Sequence, residues 1–285
     1  MMVLAVVFAA LGAVSNAAGT AFQRKAASTL PGRTGLRLLL ALARRPAWAI
    51  GIAGVTGAAV FQALALLNGP MALVQPLFML ELPFALLIAM PLLHRRPNPA
   101  GWWAIAGVVA GLALLLASAA PHGGRQQASM TRWIPVLAFT LGAIAVTVLL
   151  VRSSSSALFR AAALATGAAI GNALAAAFMK SATDRLADAG LLAFLTTWQT
   201  YGCALTGIAA LMFLENALQA GPLVASQPAL TIGDAAVSLT LGVILFDESV
   251  RTGWWLLPEA IGATLILWSV VRLTRVVPRL KDVTG

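Results

Sequence analysis

The sequence predicts an all-α polytopic membrane protein with about nine transmembrane helices, arranged as an inverted-topology repeat with the N-terminus outside and the C-terminus inside. The first observation is composition. The 285 residues are 60% hydrophobic and 10% charged, with a mean hydropathy of +0.90, whereas soluble domains carry about 25% charged residues. The second is that the apolar runs are continuous and reach the roughly 20 residues that cross a bilayer, which indicates helices rather than a barrel. The third is an internal repeat.

Nine apolar runs are long enough to be spans. They cover residues 3–23, 46–67, 70–92, 101–119, 132–151, 157–180, 190–214, 222–245 and 253–271. The first is interpreted as a span and not a signal peptide, because no basic residue precedes it. The segment 33–45 has an apolar core too short to cross a membrane and carries four arginines, which favours an amphipathic helix on the membrane face.

The repeat consists of matched motifs at nearly one offset. The pattern Gly-Pro-x4-Gln-Pro at residues 69–76 returns 152 residues later at 221–228, and Asn16 falls on Asn172 at an offset of 156. Span one therefore matches span six, five crossings later, so the two copies enter the membrane in opposite directions. Such a layout is typical of secondary transporters, whose sites lie near the midplane between the halves. The predicted organisation is a first half over residues 1–120, a connecting helix over 132–151, a second half over 157–272 and a basic cytoplasmic tail over 273–285.

The basic residues are distributed unevenly between the loops on the two sides. With the N-terminus outside, fourteen of the 19 Lys and Arg residues lie on the inner side and five on the outer side. This satisfies the positive-inside rule. The net charge of +10 therefore reflects topology in an inner (plasma) membrane, and we expect no nucleic-acid partner.

The eighth span gives the chain a family resemblance. It follows the Gly-Pro turn in Leu218–Pro222, carries an internal proline and ends at the acidic Leu245–Glu248. In this it resembles the drug/metabolite transporter superfamily, whose EamA-like members often end that helix in Gly-Glu. The first half departs, with His94, Arg95 and Arg96 where the Glu would stand. The nine spans and the short basic segment after span one are more similar to the NIPA-type magnesium transporter branch.

Two acidic residues fall inside predicted spans. Glu81 lies near the middle of span three and Asp234 near the middle of span eight. A charge at this depth costs roughly 2.5–3.5 kcal/mol on insertion scales, so such residues usually serve function. The 152-residue offset brings Glu81 onto Gly233, next to Asp234. We expect the pair to bind substrate, a cation or a shared proton; two buried acids held by neighbouring hydroxyl groups are the structural alternative.

The repeated motif places a glutamine and a proline in each of these spans. Gln75 precedes Pro76, and Gln227 precedes Pro228. A proline frees a backbone carbonyl in a helix, and broken helices often line transport sites. Gln75 and Gln227 are therefore predicted to bind substrate or ion, although proline is also common in membrane helices for shape alone.

Four further polar residues are candidates for the same site. Asn16 and Asn172 occupy matched places in the first helix of each half. Tyr201 and Glu215 stand fourteen residues apart, on nearly one face of span seven. Helix packing is the alternative role for the asparagines, and interfacial placement is the alternative for Glu215.

The remaining features narrow the function class. Lys180 is expected to pair with Glu259 near the outer surface, as a structural contact. There is no P-loop and no nucleophile–His–acid set within a membrane face, so we expect no enzymatic activity and no cofactor. The sequence predicts a secondary transporter of a small metabolite, drug or ion. A magnesium transporter that uses Glu81 and Asp234 as metal ligands is the alternative. A non-transporting scaffold is a third reading, and whether the chain forms a homodimer stays open.

Overall fold

The computed structural model describes residues 1–28, 44–92 and 99–276, and these are almost entirely helical. The helices are α1 (Met2–Ser28), α2 (Pro46–Asn68), α3 (Met71–Phe78), α4 (Glu81–Leu92), α5 (Pro99–Ala119), α6 (Met130–Ser153), α7 (Ala157–Thr196), α8 (Trp198–Ala220), α9 (Leu223–Phe246) and α10 (Leu256–Val276). Two short strands, β1 (His122–Gly123) and β2 (Glu248–Ser249), pair antiparallel. Most of the predicted surface helix at 33–45, and the tail beyond residue 276, lie outside the described residues.

The number of spans is confirmed within the described part of the chain. Nine helical segments there are long and apolar enough to cross a membrane, as expected of a multi-pass membrane protein. Large apolar side chains project from them, among them Phe139 of α6, which is 78% exposed. In a bilayer such side chains contact lipid, so their exposure carries no hydrophobic cost.

The predicted start of the seventh span at residue 190 coincides with a break in the helix, although the next helix of span length begins at Trp198. α7 continues to Thr196, and α8 begins at Trp198. Gly190, with a φ of 81°, bends the chain inside α7, and Thr197 adopts an extended conformation that ends it. Residues 191–196 therefore form a short helical segment of their own between the break at Gly190 and the start of α8. The sequence carries a signal for this break, because Asp184, Arg185 and Asp188 interrupt the apolar run just before Gly190, and glycine permits a positive φ.

One compact unit comprises Met1–Asn68 and Leu77–Pro97. Here α1 packs along α2 and also contacts α4. The α1–α2 contact is close at Gly19, where an added Cβ would lie 2.8 Å from the Gly51 carbonyl oxygen. The Ser15 hydroxyl donates to the Gly54 carbonyl at 2.8 Å. Small residues thus allow the two backbones to approach, as is common where lipid provides no hydrophobic drive between helices.

A second compact unit comprises Gly69–Pro76 and Asn98–Gly285. Its central element is α7, which packs against α6, α8 and α9, while α5 packs along α10. Aromatic rings fill the space between three of these helices. Trp133 stacks on Phe178 with ring centroids 4.7 Å apart, and Trp198 meets both rings edge-on at 5.3 Å. This cluster joins α6, α7 and the start of α8.

The strand pair, which an all-helical prediction did not include, belongs to the second unit. Gly123 pairs with Glu248, the Arg125 amide donates to the Phe246 carbonyl at 2.6 Å, and the Arg251 amide donates to the Ala119 carbonyl at 2.9 Å. The loop after α5 is thereby held along the segment that follows α9.

Candidate functional site

The third span, Met71–Ile88, is interrupted in its interior. α3 ends at Phe78 and α4 begins at Glu81, with a two-residue turn between them. Backbone hydrogen bonds in the turn join residues three apart; for example, the Leu80 amide donates to the Leu77 carbonyl at 3.1 Å. The sequence predicted a span over 70–92 that is broken at Pro76, and the break instead falls after Phe78. The span consists of two short helices joined end to end.

Pro83 explains why the interruption falls here. Proline has no amide hydrogen, and its ring collides with the carbonyl four residues earlier, which here belongs to Met79. That carbonyl instead accepts from the Leu82 amide at 3.1 Å. Pro76, which the sequence analysis singled out, lies inside α3 without ending it. A proline's effect is exerted one turn upstream, so the second proline of the span determines the break.

Glu81 lies at the interruption. It is the first residue of α4 and the eleventh of the 18-residue span, and it is half-buried. A carboxylate at a helix N-terminus interacts favourably with the helix dipole. The last carbonyls of α3 lie on the other side of the turn, and that of Leu77 accepts from the Leu80 amide within the turn. The interruption therefore combines a carboxylate with backbone oxygen atoms.

Asp234 lies inside α9, a helix that Pro228 does not interrupt. The Ser238 hydroxyl donates to Asp234 Oδ1 at 3.3 Å, and Ser238 is fully buried. Gln227 lies about two helical turns before Asp234 and is half-buried. Its backbone carbonyl accepts from the Thr231 hydroxyl at 2.9 Å. Asp234 belongs to the second compact unit and Glu81 to the first, so their joint site stays a prediction.

Gln75 is the buried polar residue of α3. It is 4% exposed, and its Nε2 has no hydrogen-bond partner among the described residues. An unpaired buried amide costs free energy that packing alone does not return. Gln75 therefore meets one requirement of a polar ligand-binding position.

The other predicted site residues lie at more open positions. Asn16 of α1 is half-buried and Asn172 of α7 is exposed. Tyr201 is 64% exposed, and its hydroxyl donates to the Leu195 carbonyl at 2.8 Å. Glu215, in the second half of α8, is also exposed. Asn16 belongs to the first compact unit and the other three to the second, so their common cavity also stays a prediction.

A buried ion pair in the second unit was not predicted. Lys180 of α7 binds Glu248, which follows α9, with 2.5 Å between Nζ and Oε1, and their side chains are 2% and 0% exposed. The prediction that Lys180 pairs with Glu259 was therefore wrong. Asp247 adopts a left-handed conformation with a φ of 53° at the end of α9. That turn directs the next side chain inward, where it reaches the lysine.

The Glu248 carboxylate also binds the beginning of α3. Oε1 accepts from the Met71 amide at 2.6 Å and Oε2 from the Ala72 amide at 2.8 Å. These amides are among the first four of a helix, which have no intrahelical acceptor. A negative charge at a helix N-terminus is also favoured by the helix dipole. One carboxylate thus satisfies two helix amides and a buried ammonium group.

The surroundings leave little space around this carboxylate. A Cβ added at Gly242 would collide with Glu248 Oε2 and lie 3.0 Å from Cδ. The Lys180 ammonium also lies 4.6 Å from the centroid of the Phe246 ring, a cation–π contact. Glycine at position 242 is therefore required for the arrangement.

The neighbouring acid points to the opposite side. Asp247 is exposed and forms ion pairs with Arg132 and, at 2.7 Å, with Arg125. The hydrogen bond from Arg132, together with the charge of Arg125, holds the pKa of the Asp247 carboxyl below its ordinary value. Adjacent acids in the sequence thus have opposite environments, one buried and one accessible.

Sequence signals for the ion pair existed but did not specify it. Lys180 is a charged residue at the end of a long apolar run, and Glu248 ends the eighth span. Their separation of 68 residues, and the 177 residues between Glu248 and Met71, cannot be read from local patterns. As for metal binding, no group of three or more His, Cys, Asp or Glu side chains within residues 1–28, 44–92 and 99–276 is arranged to hold an ion.

Comparison with known proteins finds a relative of this chain whose activity is not described. The chain is 29% identical over 284 residues, 95% of each chain, to an uncharacterized protein of Corynebacterium glutamicum. No family model matches the chain, and no solved structure matches it.

Proposed function

We propose that this chain is a secondary membrane transporter that moves a small metabolite, drug or ion by alternating access, with Glu81 and Asp234 in substrate or ion coupling. The interrupted third span is the observation that carries the proposal. Broken helices at membrane depth are tolerated where the irregular backbone is buried in protein or lines a cavity, and in transporters they form substrate and ion sites. The buried amide nitrogen of Gln75 adds support, because it lies one turn before the interruption and has no hydrogen-bond partner among the described residues.

The proposal includes the topology predicted from the sequence. Two halves inserted in opposite directions, with the N-terminus outside and the C-terminus inside, would exchange roles as the site opens to each side in turn. The location is the inner membrane, and the resemblance to the drug/metabolite transporter superfamily agrees with this architecture.

The chemistry of the interruption favours a cation or a proton as the coupling species. Half-helix N-termini usually attract anionic substrate groups, and half-helix C-terminal carbonyls coordinate cations. Here Glu81 occupies the N-terminal end of α4, so its negative charge offsets the positive end of that helix. A carboxylate beside carbonyl oxygens therefore disfavours an anion at this position.

Magnesium transport is the second candidate, favoured by the same oxygen-rich interruption. Mg²⁺ keeps several of its waters and needs only one or two carboxylates. Glu81 and Asp234 would supply those ligands.

Flux into proteoliposomes that contain the purified protein tests both candidates. Wild type, Glu81→Gln and Asp234→Asn are compared with and without an imposed proton gradient, for Mg²⁺ entry and for proton movement on addition of candidate metabolites. Each substitution removes a titratable intramembrane oxygen and should abolish flux. Asp247→Asn is the matched control, because it neutralises an exposed acid outside the spans and should leave flux unchanged.

The outcomes separate the candidates. Mg²⁺ entry that both substitutions abolish supports the magnesium transporter. Metabolite-dependent proton movement without Mg²⁺ entry supports the proton-coupled transporter. Normal flux in both Glu81→Gln and Asp234→Asn would disprove the carboxylate mechanism.

A further inference from the structure

Glu248 is the point at which three elements of the second compact unit are joined. It follows α9, binds Lys180 of α7, and accepts the first two amides of α3. Both carboxylate oxygens are therefore engaged in strong, charge-assisted contacts, which are shorter and stronger than neutral hydrogen bonds. No comparable side chain holds α3 elsewhere among the described contacts of the second unit.

The arrangement is a poor device for stability alone. Desolvating two opposite charges costs about as much as their attraction returns, and apolar side chains of the same volume often stabilise a protein as well or better. A contact of this kind is instead specific: it exists in one geometry and is lost abruptly when the groups separate. Such all-or-none contacts suit an element that alternates between two positions.

The bound segment is also the one that has reason to move. Met71 and Ala72 begin α3, the first half of the interrupted span, and Pro76 weakens the backbone ladder within it. Proline is a common cause of a sharp kink in a helix. The contact is therefore placed at the N-terminal end of α3, and the turn that separates α3 from α4 lies at the other end.

We propose that Lys180 and Glu248 form a latch that holds the N-terminus of α3 closed against α7 and α9 and opens in each transport cycle. This inference rests on the proposed function. The positive-inside distribution places the latch, together with the 120–129 and 247–252 loops, at the outer end of the spans. Closure at that end corresponds to a state shut to the outside.

Chemical labelling tests the latch without any substrate. Cys203 is the single cysteine of the chain, so Cys203→Ser provides a cysteine-free background. Met71→Cys then introduces one thiol at a side chain that is 0% exposed, directly at the latch. The reaction rate of this thiol with a membrane-impermeant maleimide, measured on right-side-out vesicles, reports how often the end of α3 opens.

Lys180→Met and Glu248→Gln are compared with Asp247→Asn, each in that background. The two latch substitutions should raise the labelling rate by roughly tenfold or more, because each removes one partner of a closed contact. Asp247→Asn changes the adjacent acid, whose side chain is 39% exposed, and should leave the rate unchanged. A monodisperse gel-filtration profile establishes that each variant is folded; where Glu248→Gln fails this requirement, Lys180→Met decides.

The charge-swapped chain, Lys180→Glu with Glu248→Lys, adds a second readout. It restores opposite charges but offers no acceptor to the Met71 and Ala72 amides, so it should label as fast as the single variants. Equal labelling of Lys180→Met and Asp247→Asn would overturn the latch, and slow labelling of the swapped chain would overturn the role of the helix amides. Flux is recorded separately: absence of flux in wild type refutes the transporter, whereas the labelling rates judge the latch.

Discussion

Replacing Gly242 by alanine should displace the Glu248 carboxylate from its contacts with Lys180 and the N-terminus of α3. The new Cβ would overlap Glu248 Oε2 and lie 3.0 Å from Cδ and 3.5 Å from the Ala72 amide nitrogen. The obstructing group is the Glu248 carboxylate, which is bonded at 2.5 Å to Lys180 and also to the N-terminus of α3. The carboxylate therefore cannot move away without breaking those bonds.

The magnitude follows from three opposing terms. Alanine in place of glycine inside a helix gains about 1 kcal/mol. Overpacking a filled site costs about 1–3 kcal/mol, and separating a buried ion pair costs about 3–5 kcal/mol when the charges stay buried. With partial displacement of Glu248, we expect Gly242→Ala to lower the free energy of unfolding by about 2–4 kcal/mol.

The assay is equilibrium unfolding of the purified protein in mixed micelles, followed by helical circular dichroism. Gly142→Ala is the matched control, because Gly142 also lies inside a long helix but an added Cβ there meets no atom within 4 Å. It should change the free energy of unfolding by about 1 kcal/mol or less, in the stabilising direction. Equal stabilities of Gly242→Ala and Gly142→Ala would refute the packing argument around Glu248.

Two further predictions concern the second unit. At the α5–α10 contact, a Cβ on Gly111 would lie 2.8 Å from the Gly262 carbonyl oxygen, and one on Gly262 would lie 2.8 Å from the Gly111 carbonyl oxygen. Each change to alanine should lower the free energy of unfolding in micelles by about 1–3 kcal/mol. The double variant should lose less than the sum of the two, because both changes open the same contact. Strict additivity would contradict a shared contact. The hydrogen bond from Arg132 lowers the pKa of the Asp247 carboxyl in the folded protein. The ion pair therefore stabilises the protein above the unfolded-state pKa of about 3.9, and this stabilisation is lost as pH falls through the lower folded-state pKa. The difference in thermal midpoint between wild type and Asp247→Asn should be constant well above about pH 4, shrink as the pH falls below that value, and vanish once the pH is below the lowered folded pKa. A difference that persists unchanged in acid would exclude the ion pair.

The spans could be predicted because the membrane imposes a local rule. Each span must satisfy its backbone groups internally and present apolar side chains for about 20 residues, and this requirement is written in consecutive residues. The break at Gly190 follows the same rule, because charged residues precede it and the apolar run resumes at Leu191. The rule did not reveal the interruption before Glu81, since apolar composition does not distinguish one helix from two. Pro83 was the available signal for that break.

Lys180 illustrates what sequence determined and what only the tertiary structure decided. The sequence alone established that a lysine stands at the end of an apolar run, where desolvation demands an acidic partner. Which acid it binds depended on the left-handed turn at Asp247, which directs Glu248 inward, and on the absence of a side chain at Gly242. The role of α3 depended on amides 177 residues away in the chain. Hydropathy and spacing act between neighbours in sequence, whereas a buried charge selects its partners among the groups that packing brings within about 3 Å.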